Sequence, residues 1–363
     1  MPKATPPPAT SDGLAPSVTL REVAEHAGVH PATVSRALNP QTQQMVGAAT
    51  LQRVLESARE LDYRTNAIAR SLRTQRSLTV GVVIPDIANP LFPRILRGID
   101  DALDEVRYAS LVAYTDGRDD RLLDRFQLLR QRGVDGLLVA TARHADPALD
   151  MLVGAQVPVV QINRRSQNKA IPSVTPDDRG GIRSAVEFLA EVGHQKIALL
   201  APPQTHSTGR ARIAGFRAAM RHAGLDIPAG FVQPARAVTL EEGTRLCTAL
   251  LQAHPEVTAI VAGNDLMALG CYDALRAAQL RCPDDVSVVG FNDMPFAERF
   301  DPPLTTVRFE HYEMGAAAVG VLLRRLRASA AVPPAVHLEL ETRLVVRGSA
   351  GPPRDRRPGS VPA

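Results

Sequence analysis

From Leu78 onward the chain repeats one pattern: a short, nearly unbroken run of valine, isoleucine and leucine, then an amphipathic stretch of helical period. The runs read LTVGVVIPD, ASLVAYT, GVDGLLVAT and VPVVQIN, then KIALLAPP, TAIVAGND and DVSVVGFND. Runs without polar alternation suit strands buried on both faces, and strand–helix alternation implies βαβ units and parallel sheets. The series restarts at GHQKIALLAPP, after the helical GGIRSAVEFLAEVG, so two α/β lobes are expected, the first over about 78–165. Most runs end in a polar residue: Asp86, Thr115, Asn163, Asn264 and Asn292. Open parallel sheets bind ligands beyond the carboxyl ends of their strands, so two such lobes facing each other would form a ligand cleft. Any one of these residues could simply end a strand; as a set they favour the cleft.

Composition allows this and narrows the rest. A chain of 363 residues with 45% hydrophobic residues can build two or three domains around sizeable cores. Its three cysteines, Cys247, Cys271 and Cys282, have no CxxC spacing, which fits a reducing compartment and argues against a disulfide framework or a zinc site. The start, MPKATPPPATSDGLAPS, lacks an apolar core and reads as a disordered tail over 1–17 instead of a signal peptide. No run of about 18 apolar residues is present, so a cytoplasmic protein without a membrane span is expected. Formal net charge is +4, and residues 1–80 hold nine Lys/Arg against six Asp/Glu, a weak pointer to a polyanionic partner.

Residues 18–64 have a different texture, helical throughout. Thr19 followed by Glu22 is a capping box, and Leu20, Val23 and Ala24 give the first helix an apolar face. Gly28 breaks it, Val29 serves as a staple, and Pro31 opens a second helix whose inner side is Val34, Ala37 and Leu38. Left outward are Ala32, Thr33, Ser35 and Arg36. Two short helices with a glycine turn make a helix-turn-helix, in which Arg36 could bond guanine and Thr33 and Ser35 could bond phosphate. On this stretch alone an ordinary αα-hairpin with a surface arginine is an equal reading. A third helix, ATLQRVLESARELDY, packs behind through Leu51, Val54, Leu55, Ala58 and Leu61. In the connector 65–77, Ile68 and Leu72 share a face beside Arg70 and Arg73, as in a helix that wedges apolar side chains into a minor groove; a basic linker is the alternative.

The combination of VTLREVAEHAGVHPATVSRALN, RVLESARELDYRTNAIARSLRTQRSLTVGVVIPDIANPLF, RIAGF, GNDLMALG, VVGFND and PPLTTVR resembles the LacI/GalR family of bacterial transcriptional regulators, from Val18 to about Arg347. The resemblance implies an N-terminal all-α helix-turn-helix headpiece (18–64) with a hinge helix (65–77). A periplasmic-binding-protein-like α/β domain of two Rossmann-like lobes (78–347) follows, then a disordered tail (348–363), with crossover strands near Ser173–Pro176 and Leu304–Phe309. It further implies a homodimer on a palindromic double-stranded operator, repression by default, and a small-molecule effector in the cleft, with no cofactor, metal or membrane partner. By position, Pro31, Ala32 and Arg36 would read bases, and Thr33 and Ser35 would contact phosphate. Leu72 would be the lever in the central base step beside Ala69, with Thr19 and Asn66 also among the DNA contacts. Phe92, Asp177, His206, Thr208, Arg212, Asn264 and Asn292 would face the effector, Arg212 through its bidentate fork.

Several residues depart from the family pattern. His30 replaces a small hydroxyl cap on the recognition helix, Asp62 stands where glycine is common, and Thr65 where proline is common. Asn292 replaces an aspartate used for sugar hydroxyls, which points away from a simple pyranose, and Val238 replaces a stacking phenylalanine, which argues against a purine. The tail GPPRDRRPGSVPA has no leucine heptads, so dimers are expected over coiled-coil tetramers. An enzyme of Rossmann-like fold would need a GxGxxG or Walker loop or a nucleophile–base pair, and none is evident; Asp100, Asp101 and Asp104 read as a solvated helix face. An exported solute-binding protein would need a signal peptide in place of the headpiece.

Overall fold

The computed structural model describes residues 18–39, 42–63, 76–118, 121–328 and 334–353. The chain divides into two compact units, 1–77 and 78–363.

The first unit is built from α1 (Leu20–His26), α2 (Pro31–Ala37) and α3 (Ala48–Glu60), with a 3-10 turn at Gln43–Met45. Both arms of the expected capping box form: Thr19 Oγ1 accepts from the Glu22 amide at 3.3 Å, and Glu22 Oε2 accepts from the Thr19 amide at 2.6 Å. Gly28 turns the chain at φ 62, a left-handed conformation that glycine adopts without strain. The cap of α2 is kept in spite of the missing hydroxyl, because His30 Nδ1 accepts the Ala32 N–H at 3.2 Å. Val23, Ala24, Ala27, Val34, Ala37, Val54 and Ala58 form the core, with Val29, Leu51 and Leu61 packed at its margin. Leu55, expected inside, is 43% exposed, since the heptad-like spacing put it one position beyond the buried stripe.

The second unit holds two six-stranded sheets. The first lobe's strands are β1 (Thr79–Ile84), β2 (Ala109–Tyr114), β3 (Gly136–Val139), β4 (Val159–Ile162), β5 (Ser173–Pro176) and β11 (His337–Leu340), in the order β11-β5-β4-β3-β1-β2, all parallel. The second lobe's are β6 (Ile197–Ala201), β7 (Val232–Pro234), β8 (Ala259–Ala262), β9 (Ser287–Asn292), β10 (Thr305–Arg308) and β12 (Arg343–Val345), in the order β12-β10-β9-β8-β6-β7, with only β12 antiparallel. Between strands run α4 (Phe92–Asp104), α5 (Arg121–Gln131), α6 (Pro147–Gly154), α7 (Asp178–Glu191), α8 (Ser207–His222), α9 (Leu240–Ala253), α10 (Asp265–Ala277) and α11 (His311–Arg327). The central strands are buried along their length, as their unbroken apolar runs required.

The chain passes between lobes three times: after β5, after β10 and between β11 and β12. The first two follow the strands expected near 173–176 and 304–309. The third was not foreseen. Residues 348–353, expected to begin a disordered tail, are instead packed on the second lobe. Ser349 is fully buried, donating to the Val288 carbonyl at 2.6 Å and accepting the Thr305 amide at 2.8 Å. Its own carbonyl takes the Val288 amide at 2.8 Å, so the segment supplies backbone partners to the start of β9. No helix among the described residues is long and apolar enough to cross a membrane.

Candidate DNA-reading helix and effector cleft

In α2 the inward side is Val34 and Ala37, which seats the helix on α1 and α3 and leaves Ala32 and Arg36 exposed. Pro31, Thr33 and Ser35 are half-buried beside them. Thr19, by contrast, spends its hydroxyl on the capping box, donating to Glu22 Oε2 at 2.9 Å. The exposed surface of α2 therefore presents one cation with a bidentate fork, a methyl group and short hydroxyls, the donor set that suits base edges and phosphate. Asn66, Ala69 and Leu72 lie outside the described residues.

The cleft of the second unit is built where the parallel-strand rule puts it. Asn89, Leu91 and Phe92 follow β1, and Asn163 and Arg164 follow β4; from the other lobe come Pro202 after β6, Val238 after β7, Asn264 after β8, Asn292 at the end of β9, and Thr208 and Arg212 of α8. The cleft holds roughly 390 Å³ of unfilled space, counted out to solvent. Asn264 caps α10, its Oδ1 taking the Met267 amide at 2.9 Å, so its Nδ2 donor is the group left for a ligand. Asn292 sits at φ 113, a strained left-handed backbone for a residue with a Cβ. The following turn is held by buried Asp265, which accepts the Met294 amide at 2.6 Å and the Thr306 hydroxyl at 2.5 Å. Burial raises the Asp265 carboxyl to about 7.

Arg212 is 3% exposed and held on every side. Its Nε and Nη2 donate to Asp178 Oδ1 at 2.8 and 2.7 Å, Nη1 donates to the Gly263 carbonyl, and its guanidinium lies 3.6 Å over the Phe291 ring. These contacts use three of five N–H groups and leave one on each terminal nitrogen, a pair spaced for vicinal oxygens. Burial raises the Asp178 carboxyl, and the Arg212 charge works against that rise.

Of the residues expected at the effector, the structure brings Phe92, Thr208, Arg212, Asn264 and Asn292 together. Two others are placed differently. Asp177 caps α7, its Oδ1 accepting from Gly180 N at 2.8 Å, and the carboxylate against Arg212 belongs to its neighbour Asp178. His206 lies on the seam between lobes, its Nε2 3.3 Å from Arg164 Nη1. Burial, reinforced by the charges of Arg164 and Arg143, lowers its pKa to about 3, so it is neutral. Along the same seam the His144 amide donates to the Thr205 carbonyl at 2.7 Å and the Arg165 amide to Ser207 Oγ at 3.0 Å. Asn89, Leu91, Arg164 and Pro202 were missed as lining residues, although all four follow strands, the signal that marked Asn163, Asn264 and Asn292.

Comparison with known proteins agrees with this geometry. Residues 19–66 match the model of "Bacterial regulatory proteins, lacI family", and residues 77–337 match that of "Periplasmic binding proteins and sugar binding domain of LacI family". The ribose operon repressor of Halalkalibacterium halodurans is 32% identical over 91% of this chain and 96% of its own. Among solved structures, a complex of the transcriptional regulator CelR with cellobiose is 34% identical, with TM-score 0.69, covering 92% of this chain and all (100%) of that one. The Lac repressor dimer bound to operator and an anti-inducer is 28% identical, with TM-score 0.82, covering 92% and 99%. A headpiece of capped short helices, two α/β lobes with a polar cleft, and matches along nearly the whole chain establish that the protein belongs to the LacI family of bacterial regulatory proteins.

Proposed function

We propose that this protein is a transcriptional repressor that binds a palindromic operator as a homodimer and whose DNA affinity is set by a small polar metabolite in the inter-lobe cleft. It is a regulator, not an enzyme, and acts on DNA in the cytoplasm. The observation that carries the reading is the coexistence in one chain of α2, with Arg36 exposed on a packed three-helix unit, and a cleft lined by amides and an anchored guanidinium. Arg36, Pro31 and Ala32 read base edges, Thr33 and Ser35 take phosphates, and Asn66, Ala69 and Leu72 act on the minor groove between half-sites. In the cleft, Arg212, Asn163, Asn264, Asn292 and Thr208 recognise hydroxyls and Phe92 takes an apolar face of the ligand.

The cleft favours a neutral, hydroxyl-rich effector. Four asparagines line it, and Arg212 has its charge matched by Asp178. The related proteins include one solved with cellobiose and one named for ribose. Effector closure of the lobes changes operator affinity because the ligand binds the two arrangements unequally.

The test is selection of sites from random duplex DNA by the full-length protein. Recovery of a palindrome is expected, with Arg36→Ala costing about 1–3 kcal/mol and relaxing base preference. Full specific affinity in that variant would remove Arg36 from base reading, and no recovered site in any ligand condition would remove the regulator reading.

A further inference from the structure

All strands of the first lobe are parallel, so their amino-terminal ends form one face, opposite the cleft. The chain joins the lobe on this face at Leu78, whose amide is held by Asp135 Oδ2 at 3.0 Å. The turns that lead into the strands also lie there. The turn before β2 carries Arg107, the end of α5 and the turn before β3 carry Arg130 and Arg132, and the last turn of α11 carries Arg324, Arg325 and Arg327. That α11 ends here is fixed by packing: its Leu322 lies against Gly136 at the start of β3.

Six guanidiniums thus stand against four carboxylates on this face, Asp104, Glu105, Asp135 and Asp100, the last accepting from Ser110 Oγ at the start of β2. The charges are not spent internally. Arg107, Arg130, Arg132, Arg324 and Arg327 are exposed and form no ion pair among the described residues. Arg325 is half-buried, with Nη1 enclosed and lacking a hydrogen-bond partner. Like charges gathered without counter-charge repel one another, and a polyanion relieves that repulsion. Residues 64–77, which join the headpiece to this face, can span at most about 50 Å, so DNA held by the headpiece stays within reach.

We propose that this arginine face is a second DNA contact, binding backbone phosphates that flank the operator without reading sequence. The inference rests on the regulator reading above. It assigns to the first lobe a share of operator affinity that is electrostatic and depends on the length of the duplex.

The experiment compares two duplexes carrying the selected site, one ending at its edges and one extended by about ten base pairs on each side, a full turn of B-DNA. Binding by the full-length protein is followed against salt. Tighter binding to the long duplex is expected, with a salt dependence steeper by about 0.9 for each added phosphate contact. The quadruple variant Arg130→Gln, Arg132→Gln, Arg324→Gln, Arg327→Gln should lose that difference while keeping wild-type affinity for the short duplex and an unchanged unfolding midpoint. Equal wild-type affinity and salt slope on both duplexes would overturn the proposal, as would a folded variant that keeps the length dependence. Failure to select any site removes the premise, and the proposal with it, and is recognised at the first step.

Discussion

The side chain on which the effector site turns is Asp178. It sits at the first position of α7, buried, with both its Arg212 contacts made through one oxygen. A buried ion pair contributes little net stability, but removing one member strands the other without solvent. Asp178→Ala should therefore lower unfolding free energy by about 3–5 kcal/mol, read by denaturant titration. The paired change Asp178→Leu with Arg212→Met should recover most of that loss while leaving no effector response. A single variant as stable as wild type would show that Arg212 finds another partner. This is also where sequence reasoning reached its limit. Asn264 and Asn292 were legible because strand ends in an α/β lobe must face the cleft, whereas Arg212 and Thr208, inside α8, were expected only from the family resemblance. Asp177 and Asp178 are adjacent carboxylates at one helix start, and only the direction of each Cβ decides which one caps and which one turns inward. His206 shows a related limit: a residue at a cleft rim can face the ligand or the opposite lobe, and here its Nε2 meets Arg164 of the first lobe.

Among the elements, the tightest contact in the first lobe is the crossing of α4 and α11. A Cβ added at Gly98 would lie 2.0 Å from the Tyr312 carbonyl oxygen, and one at Gly315 would lie 2.2 Å from that of Ile95. Two helices that approach backbone to backbone cannot admit a methyl group without separating, and their flanking Ile95, Ile99 and Met314 belong to the main core. Gly315→Ala should cost at least the roughly 1–3 kcal/mol typical of overpacking, despite alanine's better helix propensity. Unfolding of that variant at or above the wild-type midpoint would refute the crossing. The elements legible in the sequence were those with a single dominant driving force. Buried parallel strands announced themselves by unbroken apolar runs, and the headpiece helices by caps and a glycine turn. Those that were missed are short and carried by partners elsewhere in the chain. β7 and β12 have three residues each, and β11 and residues 348–353 gain their order from strands already in place. No local pattern marks such segments, because their hydrogen bonds go to strands well removed along the chain, β6 for β7, β10 for β12 and β5 for β11.

For the molecule as a whole, the contact across the seam between the lobes makes closure sensitive to protons. His206 belongs to the second lobe and Arg164 to the first, and the imidazole accepts from the guanidinium only while it is neutral. Burial and the charges of Arg164 and Arg143 hold its pKa at about 3, well below the ordinary 6.5. A base whose pKa is depressed on folding contributes stability above its unfolded pKa, and loses it as pH falls toward the folded value. The closed arrangement should therefore weaken between about pH 6.5 and 3, by up to about 1.4 kcal/mol for each pH unit. Comparison with His206→Gln isolates this residue, since glutamine keeps an acceptor for Arg164 and cannot take up a proton in this range. Wild type should lose stability relative to the variant as pH drops from 6.5 to 4, and its radius of gyration should rise over the same range if the lobes part before they unfold. Parallel stability curves would mean that protonated His206 is accommodated at the seam, and that closure is governed by the ligand groups of the cleft alone.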